Sequence, residues 1–439
     1  MTDFILFYEH RAREMESICL LKEELRRRGH SVRLANIYYW RSFTTFLFCR
    51  PRVVVVPWLY DDRDVGLYDR FPVPVTKILN LQSEQVYNQA IREKGTLYPH
   101  GAARDARHIC WGEREKSYLL ADGLPEENLI VTGSIPMDLN RKAFRSSFLS
   151  REELAVRYGL DPEKKWVLFI SSFSYVGMSQ ERLEEIDQLT GVAFAFADIS
   201  RRSQQEILGW FERYARSHPD AEVIYRPHPS ESGSEALEKL RHSYGNFKVI
   251  GSESVRQWIY CCQSINNWFS TSLNDVCFLG KSSSTLRPYP IPPEMDNEEL
   301  LLERHVTTYE AFEAYNDAGQ EGPGRELLDV VGQFYRMDEQ PAYQRVADLL
   351  EEMLRQEGTD FSAGKAAYRP DPPLKRLRMA VFVWLSTFIR WTPRLLEKIN
   401  RPDFTGPIIK ECFAIGREVK NTSRRMRDII TKECGGDYE

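Results

Sequence analysis

The chain has 439 residues, of which 42% are hydrophobic, so it is long and apolar enough to form two domains with cores of their own, and global disorder is excluded. The formal net charge of -5 gives no reason to expect a nucleic-acid partner. None of the eight cysteines forms a CxxC pair, which favours core thiols in a reduced, cytoplasmic protein over a disulfide framework or a zinc site.

Apolar runs that alternate with helical patterns predict parallel sheets in two successive stretches of the chain. In the first stretch the predicted strands are residues 4–8, 31–35, 53–58, 75–81, 108–111 and 129–133. In the second they are residues 166–171, 221–225, 248–250 and 264–268. We therefore predict an α/β fold of two Rossmann-type, doubly wound domains that face a cleft, residues 1–150 and 151–345, and then a helical tail, residues 346–439.

The predicted strand that ends at Tyr225 runs directly into Arg226, Pro227, His228 and Pro229. Ligands of open α/β sheets bind at the carboxyl ends of strands, and this loop offers a planar guanidinium and a ring N–H that suit a phosphate. Prolines keep such a loop extended before the next helix. A surface turn in which His228 merely caps that helix is the alternative.

A second polar loop, Ser270, Thr271 and Ser272, follows another predicted strand of the same domain and precedes a predicted helix. Free backbone amides and the dipole at a helix N-terminus favour an anion there. Together with the loop of His228, it could hold the phosphate and ribose of one nucleotide. The alternative is an ordinary serine or threonine N-cap.

Polar segments of the first domain also follow predicted strands. Glu84 comes after the strand 75–81, where a carboxylate can act as a general base on a hydroxyl acceptor, or can cap the next helix. Arg13 and Glu14 follow the first strand and either reach an acceptor or form the polar start of a helix. The acidic run 61–64 contains a DxD pattern without a second acidic partner, so we expect no metal site.

The C-terminal tail is basic, with 14 Lys and Arg against 6 Asp and Glu between Leu374 and Cys434. Within residues 374–399, arginines flank bulky apolar and aromatic residues, which is typical of an interfacial helix on an anionic membrane. The longest apolar run, residues 379–389, is shorter than the roughly 20 residues that cross a bilayer. We expect the tail to bind the anionic inner-membrane surface peripherally, or to pack on the first domain.

Several short motifs, in this order, resemble a bacterial family of surface carbohydrate biosynthesis proteins and, more distantly, the two-domain GT-B glycosyltransferases that include sialyl- and Kdo-transferases. The resemblance covers residues 4–290. The motifs are Arg13-Glu14, Trp111-Gly112-Glu113, Val131-Thr132-Gly133 with Asp138, Arg226-Pro227-His228-Pro229-Ser230-Glu231, Trp258-Ile259, and Ser270-Thr271-Ser272 through Gly280-Lys281.

The resemblance implies that His228 contacts the phosphate of a CMP-linked donor and that Glu84 stands where the family's acidic motif supplies the catalytic base. Only this glutamate of the motif remains acidic, and the family's glycine is absent. A retaining mechanism with Asp138 or Asp198 as nucleophile is therefore an alternative. The other positions that the resemblance places at the nucleotide are Ser171, Ser172 and Asp275.

The resemblance further implies a GT-B-like glycosyltransferase of capsule or lipopolysaccharide assembly, cytoplasmic and peripheral to the inner membrane. The enzyme would transfer a sugar, preferably Kdo or a related ulosonic acid from a CMP-sugar donor, to a lipid-linked oligosaccharide acceptor, with no cofactor and no metal. The alternatives are a CDP-glycerol or CDP-ribitol polyol-phosphate transferase, a UDP-sugar transferase, and a catalytically degenerate GT-B scaffold in the capsule assembly complex.

Overall fold

The computed structural model describes residues 1–85, 88–95, 97–231, 233–318, 322–361 and 406–434, together with the single positions 372, 374, 377, 378 and 381. The chain forms two compact units. The first unit comprises Met1–Gln85, Tyr98–Leu139 and Tyr335–Glu439, and the second unit comprises Val86–Leu97 and Asn140–Phe334.

In the described part of the chain, the strands are β1 (Thr2–Tyr8), β2 (Val32–Asn36), β3 (Pro51–Val56), β4 (Ile78–Asn80), β5 (Arg107–Cys110), β6 (Leu129–Val131), β7 (Lys165–Ile170), β8 (Ala221–Arg226), β9 (Phe247–Val249), β10 (Ser264–Asn267), β11 (Ser284–Leu286) and β12 (Arg304–Val306).

The helices of the same residues are α1 (Arg11–Arg27), α2 (Tyr39–Phe48), α3 (Asp62–Leu67), α4 (Gln89–Lys94), α5 (Glu113–Ala121), α6 (Ile135–Asp138), α7 (Lys142–Arg145), α8 (Arg151–Tyr158), α9 (Gln180–Thr190), α10 (Ala193–Ser217), α11 (Glu235–Ser243), α12 (Val255–Cys261), α13 (Leu273–Phe278), α14 (Glu298–Leu301), α15 (Tyr309–Asp317), α16 (Arg325–Phe334), α17 (Ala342–Arg355) and α18 (Gly406–Cys434). Short 3₁₀ helices add Tyr68–Arg70, Gly101–Asp105, Glu126–Asn128 and Pro293–Met295.

The first unit is built on a parallel sheet with the strand order β2-β1-β3-β4-β5-β6. Within it β1 pairs with β3, with Phe4 beside Val53 and Leu6 beside Val55. All four side chains are buried without in-and-out alternation, which is typical of a parallel sheet covered on both faces. The strand order reverses between β1 and β3, and ligands of open α/β sheets bind outside the carboxyl ends of strands at such a point.

The second unit is built on a parallel sheet with the order β12-β11-β10-β7-β8-β9. Read from β9, this is the order of a doubly wound dinucleotide-binding domain, and it reverses between β7 and β10. The core on one face contains Phe169, Phe211 of α10, Tyr225 and Trp268. The rings of Phe169 and Phe211 meet edge to face with centroids 5.0 Å apart. The predicted doubly wound α/β fold is therefore confirmed.

Each of the ten predicted strands has a counterpart, although β4 is shortened to Ile78–Asn80. β11 and β12 have three residues each and lie between residues 281 and 340, where weak periodicity gives no prediction. These short strands form because β11 pairs with β10 and β12 pairs with β11, and local alternation of the sequence does not encode such pairing.

The two units differ from the predicted domains at both boundaries. The chain enters the second unit at Asn140 rather than at residue 151, and returns to the first at Tyr335 rather than at residue 346. Residues 86–97, predicted within the first domain, belong to the second unit, where Asn88 Nδ2 donates to the carbonyl of Met295 at 3.1 Å. The helical pattern there predicts a helix but not the unit on which it packs.

The last helix, α18, packs on α1 of the first unit, which is one of the two alternatives for the tail. Lys22 Nζ donates to Ser423 Oγ at 2.7 Å, and Arg427 Nη2 lies 3.0 Å from Glu23 Oε2. Glu23 is fully buried, so its charge depends on cations from both helices. Residues 374–399 lie almost entirely outside the described part of the chain, and no helix within that part is long and apolar enough to cross a membrane.

Candidate functional site

Glu231 is the centre of a hydrogen-bond cluster at the carboxyl ends of β7 and β8. Its carboxylate accepts hydrogen bonds from the hydroxyls of Ser171 and Tyr225, at 2.5 Å each. It also accepts from Gln204 Nε2 of α10 at 3.3 Å and from the backbone N–H of His228 at 3.1 Å. Four donors on one carboxylate fix the loop after β8 against the end of β7. The hydroxyl of Ser171, predicted at the nucleotide, is committed to this carboxylate.

The ring of His228 is held in one orientation by Ser230. The backbone N–H of Ser230 donates to His228 Nδ1 at 3.2 Å, and the hydroxyl of Ser230 lies 2.7 Å from the same nitrogen. Because a backbone amide can only donate, Nδ1 is the acceptor, and the proton of the neutral ring sits on Nε2. An Nε2–H donor at a strand end suits a phosphate oxygen. Pro229, the next residue of the loop, is exposed.

Arg226 holds a neighbouring loop. Its Nη1 donates to the carbonyl of Ser252 at 2.7 Å, and its Nη2 donates to the carbonyl of Glu253 at 2.6 Å. Burial lowers the pKa of Arg226 to about 10, although the charge of Glu253 opposes the shift. Glu253 has a φ of 62°, a left-handed conformation that costs a residue with a side chain about 1–3 kcal/mol. Arg226 stabilises that turn, and its direct contact with a phosphate stays a prediction.

The loop after β10 folds back on itself ahead of α13. Ser270 Oγ accepts the backbone N–H of Ser272 at 3.3 Å, and Thr271 is exposed. Since α13 has six residues, few aligned peptide dipoles support the predicted anion site. Asp275 is buried and accepts from Arg256 Nε at 3.1 Å, so in the structure it joins α13 to α12. Its predicted contact with a nucleotide would have to be made alongside this ion pair.

Three predicted nucleotide residues follow adjacent strands of the second sheet. Ser172, His228 and Thr271 come after β7, β8 and β10, and β7 pairs with both of the other strands. Their loops therefore leave the same carboxyl edge on either side of the point where the strand order reverses. This edge is the candidate nucleotide site of the second unit.

Glu9 is a carboxylate at the corresponding edge of the first sheet that the sequence patterns do not single out. It follows β1 directly and accepts from Trp58 Nε1 at 2.7 Å and from the hydroxyl of Tyr38 at 2.8 Å. Trp58 comes after β3, so this pair bridges the two strands between which the order reverses. The rings of Trp58 and Tyr60 stack with centroids 5.7 Å apart. The sequence signal that could have found this pair is an acidic residue and a tryptophan, each placed just after a buried strand.

Glu84 lies in the loop after β4, as predicted. Its side chain is 57% exposed, and Arg13 Nη1 lies 3.7 Å from its Oε2, so two predicted residues come together. The loop turns at Gln82, whose φ is 44°, and Asn80 Oδ1 accepts the Gln82 N–H at 3.0 Å. Burial raises the pKa of the Tyr60 phenol to about 12, and the charge of Glu84 adds to this shift.

Glu14 and the acidic run at residues 61–64 serve helix starts. Glu14 accepts the backbone N–H groups of Glu9 at 2.8 Å and His10 at 3.1 Å, and burial raises the pKa of Glu14. Asp61 and Asp64 form a reciprocal capping box at the start of α3. Within the residues that the structure describes, no group of three His, Cys, Asp or Glu side chains is arranged to hold a metal ion.

The two carboxylates considered for a retaining mechanism have partners within the protein. Asp138 is buried in the first unit and accepts the backbone N–H of Tyr343 at 2.8 Å, at the start of α17. Asp198 lies on an exposed face of α10, with Arg201 Nη1 3.1 Å from its Oδ1. Neither residue directly follows a strand, and a nucleophilic role for either stays a prediction.

Comparison with known proteins gives structural but no sequence matches. No protein-family model matches the chain, and no curated protein matches it. The UDP co-structure of MnaA from S. aureus is similar with a TM-score of 0.50 at 12% identity, over 82% of this chain and 100% of the other. A putative UDP-N-acetylglucosamine 2-epimerase from Listeria monocytogenes has a TM-score of 0.48 at 12% identity, over 84% and 99% of the two chains. The wall teichoic acid polymerase TagF has a TM-score of 0.48 at 11% identity, over 81% and 89%.

The two doubly wound units and the similarity to MnaA define the fold as GT-B. At this identity the similarity establishes the fold alone. The chemistry must therefore be argued from the side chains at the carboxyl edges of the two sheets.

Proposed function

We propose that this protein is a metal-independent GT-B glycosyltransferase of bacterial surface polysaccharide biosynthesis. It transfers a sugar, preferably Kdo or a related ulosonic acid, from a CMP-linked donor to a lipid-linked glycan at the cytoplasmic face of the inner membrane. The main support is the ring of His228, which the amide of Ser230 holds with its neutral-state proton on Nε2, at the carboxyl end of β8.

The second unit binds the donor in this proposal. His228 Nε2–H donates to the phosphate that leaves with the nucleotide, and a donor fixed in advance costs no reorganisation when charge develops. Glu231 keeps the loop of His228 in place. The hydroxyls of Ser172 and Thr271 are further donors on the adjacent loops. Since these groups stabilise the leaving phosphate, transfer proceeds without a divalent metal.

The first unit supplies the acceptor chemistry in this proposal. Glu84, exposed in the loop after β4, acts as general base on the acceptor hydroxyl. Glu9 uses one oxygen for Trp58 and the other for Tyr38, and each oxygen keeps a lone pair for a sugar hydroxyl. The stacked rings of Trp58 and Tyr60 offer an amphipathic surface to a sugar face.

Residues 374–399 provide peripheral binding to the inner membrane in this proposal, on the strength of their sequence. Each cation near an anionic leaflet contributes about 1 kcal/mol. Replacement of the cations by glutamine should abolish co-sedimentation with anionic vesicles at low salt, whereas the unaltered chain should bind and be released by high salt. Equal sedimentation of both chains would contradict the membrane proposal. The cations are Lys375, Arg376, Arg378, Arg390, Arg394 and Lys398.

The donor proposal is tested by thermal shift with CMP, CDP, UDP and GDP in EDTA, because a ligand that binds the folded state raises its stability. CMP should stabilise the chain most, and His228→Ala should remove most of that shift. His242→Ala, which removes an exposed histidine from α11, is the matched control and should retain it.

Other nucleotide responses separate the alternatives. A dominant response to CDP would favour polyol-phosphate transfer. A dominant response to UDP, the nucleotide seen with MnaA of S. aureus, would favour a UDP-sugar donor. An equal response to all four nucleotides, or a response that needs magnesium, would contradict the donor assignment.

A further inference from the structure

Arg287 is a buried arginine at the carboxyl end of β11 whose guanidinium is only partly paired. Its side chain is 3% exposed, and its Nη2 lies 2.9 Å from both carboxylate oxygens of Asp296. Its Nε and Nη1 are buried and have no hydrogen-bond partner in the part of the chain that the structure describes. A buried polar group without a partner costs about 1–3 kcal/mol and more if it is charged, so this arrangement requires an explanation.

The ring of Trp268 lies near this guanidinium and carries a third donor. It follows β10 directly, its ring is fully buried, and its Nε1–H likewise has no partner among the described residues. The guanidinium carbon of Arg287 lies 5.9 Å from the ring centroids of both Trp268 and Phe269. Two adjacent strands therefore end in donors for which the described residues supply no acceptor.

The acidic groups nearby do not supply the missing acceptors. Asp296 accepts from Nη2 of Arg287 and from the backbone N–H of Asn297, but not from Nε or Nη1 of Arg287. Glu303 is the other carboxylate whose charge affects the pKa of Arg287. Its oxygens accept hydrogen bonds from the hydroxyls of Ser283 and Thr285 and from Asn267 Nδ2. Burial lowers the pKa of Arg287 despite the opposing effect of Asp296, so one carboxylate does not replace the hydration that the guanidinium loses.

We propose that Arg287 and Trp268 form an anion subsite at the carboxyl ends of β10 and β11, which takes an oxyanion of the substrate. Carboxylates and phosphates fit because they accept several hydrogen bonds and donate none. The subsite itself stands on the unpartnered donors. Its assignment to the carboxylate of an acidic sugar rests on the proposed function, and a phosphate group is the other source of the same chemistry.

Two variants remove the indole donor and the guanidinium, respectively, without leaving a buried lone charge. Trp268→Phe deletes the indole N–H and keeps an aromatic ring in the core. The double variant Arg287→Gln with Asp296→Asn removes both charges of the buried pair together, since removal of one alone would leave the other uncompensated. Arg304→Gln, which removes an exposed arginine from β12, is the control for a general change of charge.

The measurement is titration calorimetry of each variant with inorganic phosphate, free Kdo, CMP and CMP-Kdo, with melting temperatures recorded in parallel. Trp268→Phe and the double variant should each weaken anion binding about tenfold or more, the scale of one hydrogen bond to a charged group, and Arg304→Gln should not. Weaker binding of inorganic phosphate and CMP assigns the subsite to phosphate. If only the affinity for free Kdo falls, or if CMP-Kdo no longer binds more tightly than CMP, the subsite is assigned to the sugar carboxylate.

The subsite proposal is overturned if both variants change the melting temperature but leave all four affinities within about twofold, which would make the pair purely structural. It is also overturned if the unaltered chain binds none of the four ligands. Binding of inorganic phosphate or free Kdo without binding of either nucleotide would contradict the proposed function while leaving the subsite in place.

Discussion

Ser171 donates its hydroxyl proton to Glu231 across 2.5 Å, and this bond joins the end of β7 to the loop after β8. The same carboxylate accepts the backbone N–H of His228. The position of the proposed phosphate donor therefore depends on a carboxylate that touches no substrate in the proposed mechanism. Glu231 is in this sense a positioning residue, and its effects should differ from those of His228.

Glu231→Gln should lower the free energy of unfolding by about 1–3 kcal/mol, the scale for a buried hydrogen-bonded group that loses its charged acceptor. The introduced amide nitrogen must face one of the present donors, so the loop loosens and CMP binds more weakly. Denaturant titration and calorimetry measure the two effects. Glu235→Gln, on the exposed first turn of α11, is the control. Unchanged stability in Glu231→Gln would contradict the role of this cluster.

The fixed tautomer of His228 predicts an order between two amide substitutions. The side-chain nitrogen of glutamine can reach the position of His228 Nε2, whereas that of asparagine corresponds to Nδ1. His228→Gln should therefore keep CMP affinity about tenfold better than His228→Asn, since one hydrogen bond to a charged phosphate is worth roughly 1.5–3 kcal/mol. The reverse order, measured by calorimetry, would mean that Nδ1 faces the ligand.

The two carboxylates at the carboxyl edge of the first sheet, Glu84 and Glu9, should have different kinetic effects. Glu84→Gln should lower kcat about 10²-fold or more and leave nucleotide affinity unchanged, as expected for loss of a general base. Glu9→Gln should chiefly raise KM for the acceptor, because its proposed role is to hold sugar hydroxyls. Steady-state kinetics with varied acceptor distinguishes the two. A large fall in kcat for Glu9→Gln with unchanged turnover of Glu84→Gln would exchange the roles.

The contact between α18 and α1 predicts a pH dependence of stability. Burial alone would raise the pKa of Glu23, but Lys22 and Arg427 outweigh it and hold the pKa below its ordinary value. A carboxyl group with a depressed folded-state pKa stabilises the fold above its unfolded pKa, and that stability is lost as the pH falls through the folded value. Arg427→Gln should thus lower the free energy of unfolding at neutral pH by about 1 kcal/mol. This cost is smaller than that of breaking a wholly buried ion pair, because Lys22 remains beside Glu23.

The loss in Arg427→Gln should shrink as the pH falls through the depressed pKa of Glu23, because below that pKa the carboxyl is protonated in both variants. Urea titration between neutral and acidic pH is the measurement. Arg424→Gln, exposed on the same helix, should show neither effect. A stability difference that does not depend on pH would contradict the ion-pair explanation.

Local pattern was enough to predict the fold but not the partners of its polar side chains. The buried strands β1, β3, β7 and β8 are continuous apolar runs, and this property is visible without tertiary information. The hydrogen bond between Trp58 and Glu9 joins the ends of two strands. The two residues are 49 positions apart in the sequence, so no local spacing encodes the contact. The return of α17 and α18 to the first unit likewise depends on long-range packing.

The candidate nucleotide site shows the same division. The placement of His228 and Thr271 in loops after buried strands could be predicted from the sequence, and ligands of this fold class bind at such loops. The engagement of Arg226 with the carbonyls of Ser252 and Glu253 could not be predicted, because it depends on the path of the loop after β9. The unpartnered donors of Arg287 were hidden for a similar reason: burial at the end of a three-residue strand leaves no periodic signal.

The most direct test of the proposed function is transfer from radiolabelled CMP-Kdo to lipid-linked glycan extracted from cells that lack this protein, in the presence of EDTA. The account predicts that the label appears in the lipid fraction, that CMP is released in equal amount, and that His228→Ala abolishes both while His242→Ala does not. Label that reaches the lipid fraction only from CDP-glycerol or from a UDP-sugar, or only when magnesium is added, would contradict the account.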